Sequence, residues 1–230
     1  MSNLNNQTYK RNKQTVQDLN EHCIRLDQKH ALERKMKFLL DCRGYLIVND
    51  IKGSYIEFGS FRSETQYCAF NILEKTQKVS AYVGLDTFTG EPEMSHAESE
   101  LIPYVSKGSF ASNYEEVREF VESSIGKKGK LIIGDFRDKS VMEKCERFTP
   151  ISISMIDCNL TSSIASSIQF TMKNIVPGGL VFLDDFYTNF ATGQPEVYNL
   201  LNSIAAQNGK VLVEHGTYHP FAKSFVVCDN

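Results

Sequence analysis

The feature that most constrains this sequence is the alternation of two periods along it. Short apolar runs of strand length fall at residues 55–58, 79–85, 131–133, 151–156, 180–183, 211–213 and 224–227. Stretches with helical spacing lie between most of them, at 63–75, 114–124, 140–147, 162–174 and 194–208. A chain built this way must bury apolar strands between layers of helix, which predicts a mainly parallel sheet covered on both faces. The first five strands are each followed by a segment long enough for a crossover. The last two are joined by a segment that holds Gly216 and Pro220 and no helical period, which predicts an antiparallel hairpin at the C-terminal end. The expected fold is therefore α/β, with seven strands.

Before the first strand, Val16, Leu19, Cys23, Leu26, Leu32, Met36, Leu39 and Leu40 recur with helical spacing. They predict an N-terminal helical extension, residues 1–43, ahead of a main domain at 44–230. Such helices can cover a cofactor site or meet a second copy of the chain. The formal net charge is −3, and the dense basic spot Lys127-Lys128-Gly129-Lys130 reads as a solvated turn. Nucleic acid is not the expected partner, because phosphate binding needs a concentrated Lys/Arg surface. No apolar run approaches the roughly 20 residues of a membrane span. Met1 to Lys13 lack the apolar core of a secretory signal, and the six cysteines are scattered without a CxxC pair. The expectation is a cytoplasmic protein with reduced thiols, acting on a small molecule.

In open α/β sheets ligands bind beyond the carboxyl ends of the strands. After the first strand comes Glu57-Phe58-Gly59-Ser60-Phe61-Arg62-Ser63-Glu64, where Gly59 permits a tight turn and Ser63 can cap the next helix. The second and third glycines of the dinucleotide fingerprint are missing, which counts against a nicotinamide oxidoreductase. Asp86, at the end of the second strand, is placed to accept from ribose hydroxyls or to cap a turn. Asp135 and Phe136 after the third strand suit an adenine, by hydrogen bond and by stacking; a turn with a buried Phe explains them as well. Asp157 and the pair Asp184-Asp185 fall at the ends of the fourth and fifth strands. Crowded carboxylates call for a cation, and an all-oxygen site suits Mg²⁺ or Ca²⁺. The other reading has Asp184 and Asp185 capping the next segment while Asp157 pairs with Lys or Arg. Of the histidines, His22 and His30 read as surface residues. His96 sits in a polar loop, residues 90–99, that can act as a lid, and His215 and His219 fall in the C-terminal hairpin loop.

Together these segments resemble the macrocin and mycinamicin sugar O-methyltransferase family. The matching pieces run in order: Tyr55 to Phe61, Gly84 to Pro92, Gly134-Asp135-Phe136, Ile156-Asp157-Cys158-Asn159-Leu160-Thr161-Ser162, and Pro177 to Phe186. The resemblance implies a Rossmann-like class I methyltransferase fold with S-adenosylmethionine as donor. It implies donor contacts at Glu57, Gly59, Ser60, Phe61, Ser63, Asp86, Asp135 and Phe136, and Mg²⁺ held by Asp157, Asp184 and Asp185. The acceptor it implies is a sugar hydroxyl, a poor nucleophile that needs a base. The family commonly reads Asp-Cys-Asp-Leu-Tyr where this chain has Asp157-Cys158-Asn159-Leu160-Thr161. An amide cannot take a proton, so the base is expected from Asp157, His96 or His219, with Asn159 orienting the acceptor. The same change leaves open a member of the fold that is non-catalytic or acts on a different substrate.

Overall fold

The structure, a computed structural model, describes Asp18, Glu21, residues 29–187 and residues 196–230. The earlier part of the expected N-terminal helices, with His22 and Cys23, lies outside the described residues. A first helix, α1, spans residues 29–48. It is followed by β1 (Gly53–Phe58), α2 (Glu64–Leu73), β2 (Val79–Asp86), α3 (His96–Leu101) and α4 (Tyr114–Ser124). Then come β3 (Gly129–Ile133), α5 (Lys139–Cys145), β4 (Ile151–Ile156), α6 (Thr161–Asn174) and β5 (Ile175–Leu183). The chain closes with α7 (Glu196–Gln207), β6 (Lys210–Tyr218) and β7 (Ala222–Asp229). The seven strands pair in the order β3-β2-β1-β4-β5-β7-β6. The first five run parallel, and β7 is antiparallel to both β5 and β6.

Residues alternate between the two faces of a strand, and the core divides accordingly. Ile56, Phe58, Val83, Leu85, Ile156 and Leu183 pack with α5, α6 and α7 on one face. Tyr55, Tyr82, Ile153, Met155 and Phe182 pack with α1, α2 and α4 on the other. Helix α1 contributes Phe38, Leu39, Cys42 and Leu46, all fully buried, a stripe at i, i+4 and i+7 spacing. The expected domain boundary after residue 43 falls inside this helix, whose inner stripe belongs to the same core as the sheet.

Three local differences from the sequence reading have clear causes. The lid loop contains α3, started by a capping box in which Ser95 and Glu98 satisfy each other's backbone amides. The C-terminal hairpin loop is short, because β6 runs on to Tyr218 and takes His215 into the strand, where its Nδ1 lies 3.0 Å from Ser224 Oγ. Ser63 stands at the N-cap of α2 but makes no cap bond, since its backbone is left-handed at φ 59°.

At the β1–α2 turn, Gly59 has φ +85°, and a Cβ there would overlap the carbonyl oxygen of Asp157. Gly44 in α1 has nothing within 4 Å of a Cβ. Gly59→Ala is therefore expected to lose about 2–5 kcal/mol of stability, from overpacking and left-handed strain together. Gly44→Ala should gain about 0.5–1 kcal/mol from helix propensity. Urea unfolding of the two variants beside the parent checks both signs.

Candidate active site

The strand ends deliver their side chains by the same two-residue alternation that builds the core. Glu57 follows Ile56, Asp157 follows Ile156 and Asp184 follows Leu183, so all three fall on the face covered by α1. Glu57 is 1% exposed and accepts a hydrogen bond from Tyr55 Oη at 2.9 Å. Burial pushes its carboxyl up to about 8, against the pull of Lys35 and with the push of Asp157. Glu57 shares a cleft with Gly59, Ser60, Phe61, Asp157 and the α1 residues Ala31, Leu32 and Lys35.

The floor of that cleft is the β1–α2 turn. Gly59 has positive φ, and so do the non-glycine residues Phe61 and Ser63, left-handed strain of the kind that clusters at ligand sites. Asp86 holds the turn from β2: its Oδ2 accepts from Phe61 N at 2.7 Å and its Oδ1 from Phe88 N at 2.8 Å. A carboxylate has about four acceptor sites, so it keeps capacity for a ligand hydroxyl. Burial raises this carboxyl above its ordinary range, although the backbone amides of Phe88, Phe61 and Thr87 oppose it. Two observations fit S-adenosylmethionine here: the cradle that a Cβ at Gly59 would fill, and the buried hydroxyls of Ser60 and Ser63, which have no hydrogen-bond partner. Asp86 and Glu57 are the residues that would hold its ribose and its ammonium.

Asp135 and Phe136 are placed otherwise. Asp135 pairs with Arg137, Nη2 to Oδ2 at 2.7 Å, and Arg137 also donates to Glu93 O at 3.1 Å. The Phe136 ring is buried in the core, edge-on to Phe58 with centroids 5.6 Å apart. Its ring is spent on packing, which leaves it no free face for an adenine.

The expected metal ligands are also divided. Lys35 Nζ makes an ion pair with Asp157 Oδ2 and lies 3.7 Å from Asp184 Oδ2. Arg34 Nη2 lies 3.3 Å from Asp184 Oδ1. Asp185 lines a second cleft, with Asn159, Thr161, Glu98, Tyr104 and Glu196. Burial pushes the Asp157 carboxyl up to about 6, against the pull of Lys35 and with the push of Asp184. Burial also opposes the charge on Lys35, yet Asp157, Asp184 and Glu57 outweigh it and raise its ammonium above the ordinary value. Among the described residues no three Asp, Glu, His or Cys side chains gather as a metal site requires. A divalent ion at the oxygens that Lys35 holds would meet its charge at short range. At about 4 Å and an effective dielectric of 20 that repulsion is twice the roughly 4 kcal/mol of two unit charges. Mg²⁺ therefore does not fit the carboxylates in this arrangement, and the pairing of Asp157 with a Lys is the alternative that the sequence left open.

Asn159 has a partner that sequence reasoning passed over. Its Nδ2 donates to Glu91 Oε1 at 2.6 Å. Glu91 is held by both backbone groups: its N–H donates to Ser109 O at 2.8 Å and its carbonyl accepts from Gly108 N at 2.9 Å. Burial raises its carboxyl, Asn159 opposes this and Asp86 adds to it. Helix α3 is fixed over the same cleft by Glu98, whose Oε1 accepts from Ser162 N at 3.0 Å and from Ser162 Oγ at 2.6 Å. The two histidines expected as bases are elsewhere. His96 opens α3 with its side chain 89% exposed, 3.4 Å from Glu100, and His219 stands exposed in the β6–β7 turn. The only sequence signals for Glu91 and Lys35 were a carboxylate inside the Gly84–Pro92 segment and a lysine one turn before Leu39 on the buried stripe of α1.

Comparison with known proteins identifies the family and agrees with the fold. Residues 4–207 match the family model described as macrocin O-methyltransferase. No curated protein matches the chain at a significant level. Among solved structures, the O-methyltransferase NovP superposes with a TM-score of 0.64 at 17% identity, over 84% of this chain and 79% of its own. The calicheamicin methyltransferase CalS11 gives 0.61 at 17% identity, over 83% and 76%. The mycinamicin-pathway methyltransferase MycE, solved with Mg and S-adenosylhomocysteine, gives 0.50 at 14% identity, over 82% and 48%. With the class I fold in place and the family model matching residues 4–207, the chain belongs to the macrocin O-methyltransferase family and is an S-adenosylmethionine-dependent O-methyltransferase.

Proposed function

We propose that this enzyme methylates a sugar hydroxyl, with the donor over Gly59 and the acceptor in the cleft of Asn159 and Asp185, and that Glu91 takes the proton. The observation that carries this reading is the 2.6 Å hydrogen bond between Asn159 and Glu91. It supplies a carboxylate beside the position where the family commonly has its second Asp. A structural relative of the same fold is a TDP-rhamnose 3′-O-methyltransferase, so sugar nucleotides are the first acceptors to try.

S-adenosylmethionine supplies an electrophilic methyl group on a sulfonium. The chain's own contribution is to hold donor and acceptor in line, an effect worth up to about 7–11 kcal/mol in intramolecular analogues. Asp86 fixes the turn and presents acceptors to the ribose. Glu57 offers an acceptor oxygen to the donor's ammonium. Asn159 holds Glu91 by its amide N–H and keeps its carbonyl oxygen for the acceptor hydroxyl. Glu91, half-buried and raised, is a stronger base than an exposed carboxylate. Magnesium has no step in this scheme, because Lys35 and Arg34 already pair with Asp157 and Asp184.

Transfer of label from S-adenosylmethionine into a pool of sugar nucleotides and glycosylated natural products tests the reaction, and no labelled sugar product would overturn it. Glu91→Gln should lower kcat by about 10²–10⁴-fold while leaving the Kd for S-adenosylhomocysteine unchanged. Asn159→Asp sets a second carboxylate against Glu91 and should move the acidic limb of the rate upward by about one pH unit.

Donor binding gives a second check. Calorimetry with S-adenosylhomocysteine on Asp86→Ala should show at least a roughly tenfold loss, since hydrogen bonds to a charged group are removed. Glu57 predicts a pH dependence of folding. Its carboxyl sits near 8 in the folded chain against 4.5 unperturbed, so between those values the folded state holds a proton that the unfolded chain has released. This contribution is full below pH 4.5 and is lost as pH rises through 8. Thermal midpoints of the ligand-free protein should fall over that range, and Glu57→Gln should flatten the fall.

A further inference from the structure

Lys35 occupies an unusual place for a lysine. The buried stripe of α1 runs through Leu39, Cys42 and Leu46, and Lys35 continues it one turn towards the strand ends, with 8% exposure. A buried ammonium is retained only with carboxylates around it. Here those are Asp157, in direct ion pair, and Asp184, at 3.7 Å. Arg34, the neighbouring residue, reaches both oxygens of Asp184, at 3.3 and 3.4 Å. Two positive charges on one helix thus face the carboxylates of two adjacent strands, the same total charge that one divalent ion would bring.

We propose that Lys35, backed by Arg34, takes the place of a divalent cation between Asp157 and Asp184, so that this strand end is organised by a cation carried on α1. Lys35 is a positioning residue: it orients the carboxylates beside the donor cleft and touches no reacting atom. The inference rests on reading this end of the sheet as the methyl-transfer site. An ammonium gives three donors to carboxylate oxygens at hydrogen-bond distance. Mg²⁺ asks for near-octahedral oxygens at about 2.0–2.1 Å, and the Asp157 oxygen it would need is already engaged.

The test is Mn²⁺ binding to the full chain, followed by electron paramagnetic resonance. The wild type should show no saturable Mn²⁺ binding below about millimolar free ion, in the range of weak surface sites for O-ligated metals. Lys35→Met should gain one site, at least about tenfold tighter, that Asp157→Asn removes again; Lys35→Arg should stay like the wild type. Micromolar Mn²⁺ binding by the wild type that Asp157→Asn abolishes would overturn the proposal. So would a Lys35→Met variant with a native thermal midpoint and no gained site. If Lys35→Met does not fold, the wild-type titration with Asp157→Asn as control decides alone. Calorimetry of the wild type with S-adenosylhomocysteine runs in parallel, so a failure of the methyltransferase reading shows there and leaves the metal result standing.

Discussion

A parallel sheet buried on both faces sends successive residues to opposite layers, and nearly everything at this site follows from that two-residue period. Apolar residues obey it to the last strand position, Phe58, Ile156 and Leu183, which close the core on the α5–α7 side. The polar residues beside them fall on the other side by the same rule. Glu57, Asp157 and Asp184 therefore arrive together on the α1 face, while Asn159 and Asp185 line the neighbouring cleft. One register shift in β4 would break the core and the site at once.

The layout was legible in the sequence because apolar period and helical period differ so strongly. All seven strands and the C-terminal hairpin were read from them, and the tight turn at Gly59 and the acidic ends of β2, β4 and β5 were legible beside them. The misreadings were of a different kind. Phe136 and Asp184-Asp185 were placed correctly along the chain, but where a side chain points depends on which layer packs against it. Phe136 turned to the core because Phe58 offers an edge-to-face partner. Helix α3 escaped notice because its six residues carry no apolar period, only the capping box. Lys35 broke the pattern in the most informative way: a charged residue at a core position, which is legible as a site only once its partners across 122 positions of sequence are known.

The second cleft is held by hydrogen bonds where the first is held by charge. Gly90 has φ +87°, and a Cβ there would collide with the backbone of Gly108 and Ser109. That close approach lets the two segments exchange backbone hydrogen bonds at Glu91. Glu98 then ties α3 to the first turn of α6, and Ile102, Val105 and Leu160 form a small apolar cluster beneath it. The side chain of Glu91 is thus presented by a backbone fixed on both sides, the kind of support that a proton acceptor needs to stay aligned with its substrate.

A cation attached to the polypeptide differs from a dissolved one in its supply. Its local concentration is set by the helix that carries it, as in any intramolecular pairing, and does not follow the ionic composition of the surroundings. With Lys35 fixed at its partners by the stripe of α1, the strand end keeps its neutralising charge whenever the helix is folded onto the sheet. The exchange has a chemical side as well. An ammonium spreads one charge over a larger volume than a bare divalent ion and acidifies a nearby hydroxyl far less. A site arranged in this way leans on basicity in its carboxylates more than on acidity in its substrate.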